Sequence, residues 1–166
     1  MTKTLEIIIM EGKIEKAQRS DLPEILCVQK AAFAPIAVLL NRTELQPMMQ
    51  TLAEIQSEYD RWFFFKCTIE GRIIGSVRAY LDDDNICRIF KLVVLPKHQG
   101  AGIGKALMQA VHESFNGCDK FELFTGKDIS HIVHFYRKLG YKQTITKTMD
   151  GVEMVFMERK NRRLDS

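Results

Sequence analysis

The sequence lacks the features that mark several large classes of protein. None of its apolar runs approaches about 18 residues, so no membrane-spanning helix is expected. Its four cysteines include no Cys-x-x-Cys pair, which argues against a zinc site or a dithiol redox motif and favours free thiols. A net charge of +3 is too small to indicate a nucleic-acid-binding protein. The apolar patch Ile7–Met10 is too short for the core of a signal peptide, and a cytoplasmic location is therefore expected.

What the sequence does contain is typical of one globular domain. Apolar residues occupy 46% of its 166 positions and charged residues 27%, proportions that suit a chain with a single hydrophobic core. We expect one domain over residues 1–166, with its core at about 13–158 and flexible tails at both ends.

The order of predicted elements is β-α-α-β-β-β-α-β-α-β-β, which indicates an α/β chain built on a mixed sheet. The first helix is expected to end before Pro35, because the residue before a proline avoids the helical conformation. A second helix is expected over Pro47–Tyr59. Near the end of the chain, Asp150-Gly151 predicts a hairpin turn, and the charged segment Arg159–Ser166 is expected to fray.

The stretch Lys91–Gly104 carries the clearest functional signal. It begins with bulky apolar residues at Leu92–Leu95, typical of a buried strand, and Pro96 then ends the strand because it has no N–H to donate. Three glycines follow at alternate positions, and after them apolar residues recur with helical spacing. The first N–H groups of a helix have no partner within it, and glycines let a phosphate approach them closely. The pattern therefore predicts an anion site; the alternative is a tight turn that needs glycine only for its φ angles.

Two common phosphate-binding motifs do not fit this stretch. A Walker loop would need serine or threonine at Ala106. A Gly-x-Gly-x-x-Gly dinucleotide fingerprint would need a glycine at Lys105 or Leu107. The run Gln99–Gly104 instead resembles the Gln/Arg-x-x-Gly-x-Gly/Ala signature of GNAT-type N-acetyltransferases. A second run, His134–Tyr141, resembles the Tyr-x-x-x-Gly-Phe/Tyr hallmark of the same family.

The resemblance covers about Lys13–Glu158 and implies the acyl-CoA N-acyltransferase fold. In that fold a mixed, splayed sheet of six to seven strands is combined with about four helices, and the fourth strand, here Ile86–Leu95, pairs with the pantetheine arm of acetyl-CoA. The residues implied in binding acetyl-CoA are Leu92, Val93 and Val94 at the acetyl end, Gln99, Gly100, Ala101, Gly102, Ile103, Gly104 and Lys105 around the pyrophosphate, and Ser130 on the pantetheine.

The resemblance also assigns a general acid, whereas the general base stays open. Tyr136 is implied as the donor that protonates the departing thiolate, although a phenol can bury its ring in the core and still present its hydroxyl. Glu122 lies in the middle of a predicted strand and is a candidate base, with a solvent-facing carboxylate as the alternative. His131 and His134 are three residues apart on the last helix, but without a third ligand no metal site is expected.

The resemblance implies an enzyme that moves an acetyl group from acetyl-CoA to a primary amine of a small molecule or peptide by direct attack. Because an alkylammonium has a pKa of about 10.4, a group on the enzyme or a water must remove its proton first. The expected partners are acetyl-CoA and the amine acceptor, in a monomer or homodimer, without a metal, nucleic acid or membrane. The alternative is a non-catalytic module of the same fold that binds or senses acyl-CoA.

Overall fold

The computed structural model describes residues 12–162, and this part of the chain forms two compact units. The first unit contains residues 12–78 and 91–111, and the second contains residues 79–90 and 112–162. The apolar patch Ile7–Met10 and the last four residues of the predicted tail lie outside the described residues. The expectation of one domain over the whole chain remains a prediction.

Seven strands form one mixed sheet, as the sequence and the resemblance predicted. The strand order is β1-β2-β3-β4-β5-β7-β6. The pair β4–β5 is parallel, whereas β1–β2, β5–β7 and β6–β7 are antiparallel. In chain order the elements are β1 (Lys13–Lys16), α1 (Leu22–Leu39), α2 (Gln46–Met49), α3 (Leu52–Tyr59), β2 (Phe63–Ile69), β3 (Arg72–Leu81), β4 (Ile86–Val94), α4 (Ile103–Ser114), β5 (Lys120–Gly126), α5 (Ser130–Lys138), β6 (Lys142–Met149) and β7 (Val152–Lys160).

Helix α1 is longer than the sequence predicted. It passes through Pro35 and ends only at Leu39, so the expected end before the proline is wrong. The proline removes one hydrogen bond, but helical bonding is present beyond it, since the N–H of Leu40 at the end of the helix donates to the carbonyl of Ile36 at 2.9 Å. Ala37 is buried beyond the proline, and tertiary burial of this kind routinely overrides local helix preference.

The predicted second helix is in fact two helices, α2 and α3, separated by an extended residue. Gln50 has φ −59° and ψ 134°, which ends α2. Thr51 then caps α3, because its hydroxyl accepts the N–H of Glu54 at 3.2 Å while the Glu54 carboxylate accepts the N–H of Thr51 at 3.1 Å. The break buries the side chain of Gln50, which accepts a hydrogen bond from Gln29 at 3.0 Å.

The core of the first unit is built around α1. By length and composition alone, Arg19–Leu39 could cross a membrane, a property that inspection of the sequence for apolar runs did not reveal. A buried core helix passes the same test, and Leu22 and Ile25 are fully buried here. The expectation of no membrane partner therefore stays a prediction.

The core cluster of the first unit consists of Ala17, Leu22, Ile25, Val28, Ala32, Ile55, Phe64, Ile73 and Val93.

The second unit ends in the predicted hairpin. Asp150 and Gly151 have φ of +51° and +77°, the left-handed pair that a type I′ hairpin turn requires. Strand β7 extends two residues past the predicted end, because Arg159 and Lys160 pair with Phe121 and Lys120 of β5. The expectation that the chain frays from Arg159 onward is therefore wrong for these two residues.

Candidate functional site

The glycine-rich loop connects the end of β4 to the start of α4 in the first unit. Gly100 and Gly102 have φ of +82° and +85°, a region that favours glycine, and a Cβ on either would meet no atom within 4 Å. The carbonyl of Gly102 accepts the N–H of Ala106 at 3.0 Å, which forms the first turn of the helix. Gly104, the third glycine, lies inside α4. The loop thus presents open backbone at a helix N-terminus, the geometry that binds anions.

Two contacts position this loop beside β4. The side-chain amide of Gln99 donates to the carbonyl of Val94 at 3.0 Å, so Gln99 holds the loop against the strand end. At Gly75 on β3, a Cβ would lie 2.9 Å from the Val93 carbonyl oxygen and 3.2 Å from Leu107. The glycine therefore allows β3, β4 and α4 to pack more closely than a side chain would permit.

The strand before the loop has a kink at Lys91. This residue has φ +51°, an uncommon value for a residue with a side chain. Val93 is buried, while Leu92 and Val94, the other two residues predicted at the acetyl end, are half-buried. The kink therefore falls directly before the three residues that the resemblance assigns to the acetyl group.

A small cavity opens in the second unit where the pairing of β4 with β5 ends. The parallel register joins Ile86–Arg88 to Lys120–Glu122. Next to the last pair lies a cavity of about 50 Å³. Its lining residues are Arg88, Ile89, Phe90, Glu122, Leu123, Phe124 and Phe156. The cavity thus lies beside side chains of β4, β5 and β7, and the splay that the resemblance implied stays a prediction.

Glu122, the predicted base, lines this cavity, but its carboxylate already has a partner. The guanidinium of Arg88 donates to Glu122 Oε1 at 2.7 Å and, through Nε, to Asp82 Oδ2 at 2.7 Å. Only Oε1 is engaged in this contact, and a carboxylate has a second oxygen that can accept a proton. Its role as a base stays a prediction.

Tyr136, the predicted acid, lies on α5 in the second unit with 8% of its surface exposed. Its ring packs edge-on against Phe135 and Tyr141, with centroids 5.1 Å and 5.8 Å away. A phenol with the ordinary tyrosine pKa of about 10 is already protonated at neutral pH, and burial raises the pKa of Tyr136 further. Ser130, predicted to contact pantetheine, is the exposed first residue of the same helix.

Sequence reasoning missed a network of hydrogen bonds that is centred on one histidine of the second unit. His112 contacts the Tyr141 hydroxyl through Nε2 at 2.7 Å and Arg159 through Nδ1 at 3.0 Å. Burial, together with the charge of Arg159, lowers the pKa of His112 to about 4, so the ring is neutral near pH 7. Because a guanidinium only donates, Nδ1 accepts and Nε2–H donates to Tyr141. Residues so far apart along the chain give no local sequence signal.

A second missed feature is a buried polar cluster in the first unit. The guanidinium of Arg78 is fully buried and contacts Glu58 and Gln29, with Gln50 Oε1 at 3.3 Å. Lys91 Nζ lies 3.6 Å from Glu58 Oε2 and 3.5 Å from Gln50 Oε1. We call these five residues the polar cluster. Buried charges need partners, and Arg78 has three of them.

Comparisons with known proteins agree with this architecture. The acetyltransferase (GNAT) domain matches residues 60–143. An uncharacterized N-acetyltransferase, ycf52 of Porphyra purpurea, is 32% identical over 87 residues, which are 51% of this chain and 46% of that protein. The UPF0157 protein YqkA of Bacillus subtilis is 26% identical over 123 residues, which are 74% of this chain and 35% of that protein. The chain thus spans less than half the length of these two curated relatives.

Solved structures share the fold along nearly the whole chain. The ribosomal-protein-S18-alanine N-acetyltransferase of Escherichia coli has a TM-score of 0.77 at 17% identity, covering 93% of this chain and 97% of that one. A phosphinothricin acetyltransferase from Sinorhizobium meliloti, in complex with AcCoA, has a TM-score of 0.73 at 18% identity, covering 90% and 88%. These likenesses concern the fold, and the domain match covers half of the sequence. The chain belongs to the GNAT family of acetyltransferases.

Proposed function

We propose that the protein transfers the acetyl group of acetyl-CoA to a primary amine of a small molecule or peptide. The observation that carries the proposal is the open, left-handed backbone at Gly100 and Gly102 before the first turn of α4. A pyrophosphate suits this place, because backbone N–H groups and the positive end of the helix dipole favour an anion there. Family membership and the AcCoA complex of the S. meliloti enzyme support acetyl-CoA as the donor.

Each predicted residue has a part in holding acetyl-CoA. The loop from Gln99 to Gly104 would surround the pyrophosphate, and the exposed Lys105 in the first turn of α4 would add a positive charge. The backbone edge of Leu92–Val94 would run beside the pantetheine and the thioester, with Ser130 as a further polar contact to the pantetheine.

The transfer itself is a direct attack by a neutral amine. The acceptor nitrogen bonds to the thioester carbonyl carbon, the C–S bond breaks, and the CoA thiolate leaves. Tyr136, whose phenol is protonated at neutral pH, would donate that proton to the thiolate. The acceptor must first lose a proton, for which Glu122 or a water molecule beside it is the candidate base.

The test is to incubate the protein with acetyl-CoA and a panel of polyamines, amino acids, aminoglycosides and peptides. Binding of acetyl-CoA is followed by calorimetry, and release of free CoA by a thiol reagent. We expect binding and amine-dependent thiol release with at least one class of acceptor. Tight binding without thiol release across the panel would favour the non-catalytic module, and absence of binding would refute the acetyl-CoA site.

A further inference from the structure

We propose that Lys91 is an internal acetyl acceptor, which acetyl-CoA bound at the glycine-rich loop acetylates on its side-chain nitrogen. The inference rests on the proposed function, because acetyl-CoA is the source of the acetyl group. It adds a modification site within the first unit and gives the polar cluster a role.

The position of Lys91 in β4 carries the first part of the inference. Lys91 directly precedes Leu92, and consecutive Cα atoms are only about 3.8 Å apart. A thioester lying along Leu92–Val94 is therefore within reach of the flexible four-carbon side chain of lysine. The left-handed φ of +51° interrupts the regular strand at this residue, and the side chain lies beside Glu58 of α3 and Gln50.

The contacts of Lys91 carry the second part, because its amino group is buried but weakly held. Only 12% of its side chain is exposed, and its two polar partners lie at 3.5 Å and 3.6 Å. Lys66 is the natural comparison in the same unit. Its side chain is 13% exposed, yet its Nζ lies 2.7 Å from Asp21 Oδ2. Of these two largely covered lysines, Lys91 has the amino group with the longer contacts, so less is lost when it turns toward a ligand.

The charges around Lys91 decide its protonation. Arg78 faces it from β3, and Glu58 and Glu54 face it from α3. Burial and the positive charge of Arg78 lower the pKa of Lys91 to about 8, and the two glutamates only partly oppose this. At pH 7 about one tenth of such amines are unprotonated, against roughly one in 2,500 for an ordinary lysine of pKa about 10.4. A nucleophile is thus available without a separate base.

The reaction balances with the groups at hand. The neutral nitrogen of Lys91 attacks the thioester carbonyl carbon, a C–N bond forms, and the C–S bond breaks. CoA leaves as the thiolate and takes a proton from solvent. The nitrogen loses one proton to the carboxylate of Glu58, whose Oε2 lies 3.6 Å away. The product is an uncharged amide, and Glu58 keeps Arg78 as its partner.

The experiment uses the full chain and acetyl-CoA without any added amine. After incubation at a series of values between about pH 6 and pH 10, digestion and mass spectrometry quantify acetyl groups at each lysine. We expect acetylation of Lys91 to rise about tenfold per unit up to about pH 8 and to level off above it. Lys13, whose side chain is 76% exposed, and Lys66, whose amino group lies 2.7 Å from Asp21 Oδ2, should both carry much less label.

Two further measurements separate a failure of this inference from a failure of the proposed function. Calorimetry on the same sample reports binding of acetyl-CoA, and trace labelling with acetic anhydride reports the reactivity of Lys91 without CoA. Bound acetyl-CoA with no excess label at Lys91 over Lys13 would overturn the inference and leave the proposed function intact. A reactivity of Lys91 toward acetic anhydride that is no greater than that of Lys13 would also overturn it. If acetyl-CoA does not bind, the proposed function fails as well, and the inference with it.

Discussion

Replacing Gly102 with glutamate should weaken acetyl-CoA binding by placing a carboxylate where the pyrophosphate is expected. A Cβ at Gly102 meets no protein atom within 4 Å, so the first atom of the new side chain does not clash with the protein. With about 5 Å between a carboxylate and a phosphate, two unit charges repel by roughly 1–3 kcal/mol at effective dielectric constants of about 80 to 20. This corresponds to an increase in Kd of roughly 5- to 150-fold. Calorimetric titration with acetyl-CoA measures it directly.

Gly71→Glu is a matched control for this variant. Gly71 has φ +76°, against +85° at Gly102, and a Cβ there also meets open space, but it lies in the turn between β2 and β3. Both substitutions force a side chain into the left-handed region, at about 1–2 kcal/mol, and should lower Tm by roughly 2–8 °C. Only Gly102→Glu should lose affinity. Equal affinity in wild type and both variants would refute the site, and equal losses would indicate a general effect on stability.

Three further predictions concern the second unit. Tyr136→Phe should lower kcat more than KM in a steady-state assay, because the proton is needed only as the thiolate leaves, and unchanged turnover would leave Tyr136 a packing residue. Glu122→Gln should lower turnover by about 10²-fold or more if Glu122 is the base, whereas Glu158→Gln, which removes a carboxylate paired with Lys120 at 2.7 Å, should not. His112 has a pKa lowered to about 4 in the native protein, so between about pH 6.5 and pH 4 the unfolded chain binds a proton at this residue and the native protein does not. The free energy of unfolding should therefore fall between about pH 6.5 and pH 4, by up to about 3 kcal/mol. In urea denaturation, His112→Gln should make this fall shallower. An equally steep fall with pH in wild type and variant would contradict the prediction.

The glycine-rich loop was predictable because its signal is local. A strand, a proline and alternating glycines lie within about a dozen consecutive residues, and each has a direct backbone meaning. Gly100 and Gly102 have left-handed angles, which the tight-turn alternative also requires, and Gly104 lies inside the helix, so the anion site stays a prediction. The Asp150-Gly151 turn was predictable for the same reason.

Features that depend on distant residues were not predictable. The continuation of α1 through Pro35 depends on the burial of Ala37, which the local preference of a proline does not reveal. The break at Gln50 is stabilised by the buried contact with Gln29, 21 positions earlier. The partner of Glu122 is Arg88, on the neighbouring strand and 34 positions away. Each of these contacts is set by packing, and the amino-acid pattern near one residue carries no information about the other.

Gly75 restricts how this protein can vary. Any other amino acid adds at least a methyl group, and that group would lie 2.9 Å from a backbone oxygen of β4, which cannot turn aside as a side-chain tip would. Strand β3 would then have to move away from β4 and α4. In a library of variants selected for acetyl transfer, we therefore expect position 75 to retain glycine, whereas position 71, in open space, should accept asparagine or aspartate. Tolerance to mutation would then separate a glycine needed for packing from one needed only for a turn.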